Sequence, residues 1–163
     1  MKTHYTDSKP ATTESKIYVA DVRKLVHAAK RVLNNFDRRG TDVDSSSDED
    51  FSRFVKLLYS SGMVMKDFDG PLFDKGPGQL IRNSVSAPVT MSRANLLTIR
   101  MFLHTLARGH RATDMGSGYS YFDEAYKSGG LKALFDRLEW LCEVVETNGS
   151  ATFSDGAEIQ DDD

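Results

Sequence analysis

Five side chains on one stretch carry the first candidate chemistry. Thr90 to Arg111, TMSRANLLTIRMFLHTLARGHR, places Arg93, Arg100, His104, Arg108 and Arg111 at steps of seven, four, four and three, one stripe of a helix. A row of guanidinium groups suits phosphate or carboxylate, because each planar fork can give two N–H bonds to one anion. His104 has Arg100 and Arg108 one turn to either side. Neighbouring cations disfavour imidazolium, so a neutral ring there could act as a general base. A histidine on a helix surface or in the core is the plainer reading and the stronger one.

Arg108, His110 and Arg111 form the densest polar cluster, at the end of this helix. Cations there complement the negative pole of the helix dipole, and the arginines could equally clamp Glu139 or Glu143 of the last helix. The functional alternative is a partner- or anion-binding face to which Lys75, Arg82, Arg93 and Arg100 also contribute. Single-strand nucleic-acid binders interleave aromatic rings with their cations. Here only Phe102 does so, on the apolar side, which weakens a nucleic-acid reading.

Other reactive residue types give less. Cys142 falls on an apolar stripe and reads as a small core hydrophobe. His4, His27, His104 and His110 show no ligand spacing with a carboxylate partner, and His104 and His110, six positions apart, fall on different helix faces. No metal and no cofactor are expected. Asp67, Asp69 and Asp74 lack the ordered oxygens and closing glutamate of a calcium loop. Gly76-Pro77-Gly78 and Gly116-Ser117-Gly118 lack the Lys-Ser/Thr that follows a phosphate cradle and read as turns.

The elements that must position these residues are helical. Val19, Val22, Leu25, Val26, Ala29, Val32, Leu33 and Phe36 give a stripe for a helix from Tyr18 to Phe36, with Lys24, Lys30 and Arg31 off it. Ser46-x-x-Glu49 is a capping-box pattern before a second helix over about 48–61, with Gly62 just beyond it. Residues 66–89 hold three of the four prolines and read as a long irregular loop, which is uncommon in compact domains unless functional or mobile. The central helix follows, with Ser92 as its N-cap and Gly109 as its stop. Tyr121 to Ser128 fits a short helix broken by Gly129-Gly130. Leu131 to Thr147 fits a long one ended by Asn148-Gly149.

The expectation is a mostly α, compact, bundle-like domain of four or five helices. Residues 1–15 read as a disordered arm, 16–148 as the single helical domain and 149–163 as an acidic disordered tail. The 163 residues carry a net charge of −3, unevenly spread. Residues 75–113 hold six basic and no acidic side chains, whereas residues 114–163 hold three basic and 12 acidic. The acidic part either screens the basic part within the fold or leaves it as a local anion-binding face, screening being the plainer reading. No apolar run approaches the ~20 residues of a membrane span and none resembles a secretory signal. With one cysteine, a reducing compartment fits, so a cytoplasmic location is expected.

LLTIRMFLHTLARGHR and GGLKALFDRLEWL resemble a family of microbial proteins, the domain-of-unknown-function 6508 family. FSRFVKLLYSSGMVMKDFD (51–69) is similar to its aromatic-rich helix and the segment after it. Arg108-Gly109-His110-Arg111 is similar to its arginine motif, and Gly130-Leu131 with Arg137-Leu138 to its last helix. The resemblance covers about 51–141. Gly70, His110 and Ala112 stand where the family has tryptophan, aspartate and phenylalanine. The resemblance implies a small helical domain from bacteria, archaea or their viruses, and no activity.

The leading expectation for function is a non-catalytic binding protein acting through protein–protein contact. A virus-encoded inhibitor of a host defence or nucleic-acid-handling complex, working in the host cytoplasm, would fit the size and the acidic surface. The alternatives are a nucleic-acid binder using the basic stripe Arg93–Arg111, and a small enzyme with His104 as base.

Overall fold

The computed structural model describes residues 16–65, 83, 85–112, 118–119 and 121–153. It is mostly α, as the periodicity predicts. Among the described residues there are six α-helices: α1 (Val19–Arg39), α2 (Glu49–Ser60), α3 (Ser86–Ser92), α4 (Leu96–Ala112), α5 (Tyr121–Ser128) and α6 (Gly130–Thr147), with one 3₁₀ turn at Ser45–Ser47. The four or five helices expected become six because α3 spans the end of the stretch read as irregular and the start of the one read as the central helix. Residues 66–82 of that stretch are outside the described residues, as is the arm 1–15.

Helix starts follow side-chain oxygens. Asp48, not Ser46, caps α2: its Oδ1 accepts the Phe51 N–H at 3.0 Å. Ser46 instead gives its N–H and hydroxyl to Asp44, which caps the 3₁₀ turn. A carboxylate is the better acceptor at the positive end of a helix. Asn83 opens α3 by accepting the N–H groups of Val85 and Ser86 at 2.9 and 3.0 Å. Pro88 falls in the first turn of α3, where its missing N–H costs nothing.

The stretch 90–111 is therefore two helices and not one. Ser92 closes α3, its hydroxyl donating back to Val89 O, and Asn95 caps α4 by accepting the Thr98 N–H at 2.9 Å. Gly109 does not end α4, which runs on to Ala112. A Cβ at Gly109 would collide with the ring of Tyr121, so this glycine serves the close approach of α5.

The core is one cluster. Helix α6 packs against α1, α3, α4 and α5, and α1 also covers α2. Phe51 sits at its aromatic centre, edge-on to Tyr119 (4.7 Å), Phe122 (5.3 Å) and His110 (5.2 Å). The chain after α6 is not a free tail from 149. Phe153 is buried and gives its N–H to Ile17 O at 2.9 Å, and Val19 gives its N–H to Ala151 O at 3.0 Å. The apolar ring of Phe153 pulls 150–153 onto the start of α1, so the packing extends past 148 to Phe153. Residues 154–163 are outside the described residues.

Helices α3 and α6 meet through small residues. A Cβ on Gly130 would lie 2.9 Å from the Cβ of Ala87, in the body of α3. Gly130→Ala is expected to lower stability by about 1–3 kcal/mol, as overpacking does, and Ala87→Gly in the same chain to recover part of it. Urea unfolding of the two single variants and the double variant measures the coupling.

Candidate functional site

The predicted basic stripe does not stay together. Arg93 is exposed in the turn between α3 and α4, on a different element from the rest. Arg100 turns inward along the core, its Nε donating to Gly62 O at 3.1 Å. His104, one turn on, is buried at 5% exposure, and its Nδ1 accepts the Met65 N–H at 3.0 Å. Together they hold the chain that returns after α2. Arg108 is exposed, and His110 lies half-buried against Phe51 and Phe122. Arg111 belongs to the last turn of α4, its side chain outside the described set. Lys75 and Arg82 are also outside the described residues.

Burial holds the His104 pKa below its ordinary 6.5, with the charges of Arg108 and Arg100 acting in the same direction. Its acceptor nitrogen requires the neutral ring, so geometry and electrostatics agree. Cys142 is buried, and desolvation pushes its thiol up to about 12, far from a reactive thiolate. Among the described residues no three of His, Cys, Asp and Glu converge as metal ligands. No described helix is long and apolar enough to cross a membrane.

The acidic last helix finds its partners on α1. Glu146 accepts two bonds from Arg23, at 2.6 and 3.2 Å, and Glu139 one from Lys30 at 2.7 Å. Arg137 points the other way: buried, it donates to Ala94 O at 2.8 Å and lies over the ring of Trp140 at 4.4 Å.

Two surfaces emerge that the stripe did not foretell. The first is apolar. Val85, just before α3, and Val89 within it, four residues on, are 81% and 58% exposed, with Leu97 at 43% at the start of α4 and Trp140 at 41% on α6. The Arg137 bond to Ala94 ties Trp140 to the turn that precedes Leu97. The second is a groove of about 600 Å³ between α1 and α2, walled by Lys24, His27, Arg31 and Arg53 over Ala28 and Leu57. Its signal was present as Lys24, His27 and Arg31 at i, i+3 and i+7 off the apolar stripe of α1. The apolar surface had no comparable signal, because Val85 and Val89 lie in the segment read as loop.

No protein-family model, no curated protein and no solved structure matches this chain.

The His104 environment sets a pH dependence. Its folded pKa lies below the unfolded 6.5, so the stabilisation is full above 6.5 and is lost as pH falls through the folded value. His104→Leu is expected to cost about 1–3 kcal/mol by orphaning the Met65 N–H. His104→Asn offers an oxygen in place of Nδ1 and should cost less. Urea midpoints between pH 7 and 5 should fall in the wild type and stay flatter in His104→Asn.

Proposed function

We propose that this is a non-catalytic binding protein that works by contact with another protein through the α3–α4 corner and the flank of α6. The observation that carries the reading is the exposed set Val85, Val89, Leu97 and Trp140. Scattered single apolar residues are ordinary on a surface, but these belong to adjoining elements. Tryptophan and arginine are the residue types most enriched where binding energy concentrates, and here Arg137 lies over the Trp140 ring. Two valines four residues apart, one at the entry of a short helix and one on it, offer what an apolar groove on a partner receives.

The other readings draw less support. In the nucleic-acid reading the stripe must face solvent, whereas Arg100 and His104 hold residues 62 and 65. In the enzyme reading His104 must reach a substrate proton, whereas it is buried with Nδ1 engaged.

Affinity capture from the lysate of the source cells, or of its host, tests the proposal. Wild-type bait is expected to retain a partner that Val89→Asp with Trp140→Ala releases, the two baits having equal circular-dichroism melts. Equal capture by both baits, or capture of nothing above background, refutes the reading.

A further inference from the structure

Helix α1 carries two rows of cations, and among the described residues only one of them has carboxylate partners. Arg23 and Lys30, seven residues apart, pair with Glu146 and Glu139 of α6. Lys24 and Arg31, also seven apart, stand one residue further on, about 100° around the helix, and look towards α2. Both are exposed, as are His27 between them and Arg53 on the facing helix. The lining holds four cations, Arg23 included, against one carboxylate, Asp50, which accepts from Asn35 at 2.9 Å. Beneath the charges the groove is more apolar than polar, with Ala28 and Leu57 as its floor.

We infer that the α1–α2 groove is a docking site for an acidic amphipathic helix of a partner protein. Cationic walls favour carboxylates, and a floor of Ala28 and Leu57 favours an apolar side chain between them. Lys24 and Arg31 are about 10 Å apart along α1, which is also the separation of two carboxylates at i and i+7 on any helix lying alongside. The ligand therefore has Glu or Asp at i and i+7 and Leu, Ile or Met at i+3 and i+4. Nucleic acid fits less well. Among the lining residues there is no Phe, Tyr or Trp on which a base could stack, only the small ring of His27, and a duplex backbone has no apolar group for Leu57. This is a second surface, on different helices from the α3–α4 corner, and it stands or falls separately.

Fluorescence anisotropy with the full chain tests it, using three labelled probes at low and moderate salt. One is a synthetic peptide with Glu at i and i+7 and Leu at i+3 and i+4, one is its scrambled sequence, and one is a short duplex DNA. The patterned peptide is expected to bind with a salt-sensitive affinity at least about fivefold above the scrambled one. Lys24→Glu with Arg31→Glu should weaken it about tenfold, since two rim pairs are reversed. Both residues are exposed, so an unchanged melting curve keeps the comparison clean. Val89→Asp with Trp140→Ala should leave peptide binding intact, which separates this site from the corner. Equal binding of patterned and scrambled peptides, tighter binding of the DNA, or no peptide binding at low salt would each overturn the inference.

Discussion

A carboxylate can be ionised inside a protein only where donors replace the water it loses, and Asp48 is held by three. It accepts the Phe51 N–H at 3.0 Å, the Tyr119 hydroxyl at 2.8 Å and the Arg39 guanidinium at 2.6 Å. Burial works against its charge, but these bonds outweigh it and leave the Asp48 pKa below its ordinary 3.8. The donors come from the end of α1, the first turn of α2 and the segment before α5, so one side chain fixes three parts of the chain. The Tyr119 ring is clamped edge-on between Phe36 and Phe51 at 4.8 and 4.7 Å. Removing one partner of such a knot strands the others in the core, which costs far more than the net worth of any one bond. The polar knot and the aromatic cluster are thus one device, and it locks α1 against α2 along the groove between them.

At the opposite side α6 and α3 approach through glycine and alanine, and Arg137 bridges from α6 to the carbonyl that ends the α3–α4 turn. A buried guanidinium fixed at both its Nε and its ring contact does not swing. Trp140 is therefore presented in one orientation, and ordering a side chain before a partner arrives lowers the entropy lost on binding. A helix as short as α3 has little stability of its own. Packed on Gly130 and opened by Asn83, it becomes a rigid mount for Val85 and Val89.

The helical class, the boundaries of α5 and α6, and the core stripes were legible because periodic apolar residues and glycine stops are local signals, whereas α1 runs three residues past Phe36, where its apolar stripe ends, to Arg39 before Gly40. Gly62 and Gly149 take the positive φ that their places after a helix call for. What failed was the placing of caps and stops. Ser46 reads in the sequence as the cap of α2, whereas the Asp48 carboxylate takes that place. Ser92 reads as the start of the central helix, but it closes α3, and after the turn of Arg93 and Ala94 the cap of α4 is Asn95. Gly109 reads as a stop, yet the need is steric and comes from Tyr121, twelve positions on. The basic periodicity of α4 was real, but periodicity does not say what faces it. Here the return of the chain at 62–65 occupies Arg100 and His104. Lys75 and Arg82 lie outside the described residues, so for them the question of assembly does not arise.

Charge bookkeeping along the chain pointed to the basic middle and acidic end as natural partners, yet two acids of the last helix pair with the first. Glu139 and Glu146 go to α1, because α1 and α6 pack side by side and each offers charges seven residues apart in the same register. Exposed pairs of this kind contribute little stability, so their main effect is on what is left over. With Arg23 and Lys30 paired to α6 and Arg39 to Asp48, the described cations of α1 left without a carboxylate are Lys24, Arg31 and Arg38, seven residues apart, the first two on the side that meets Arg53. A segment that looked balanced in the sequence, with as many acids as bases through residue 74, thereby acquires a directional cationic face. Sidedness, and not net charge, decides which partners a small helical domain of this kind can read.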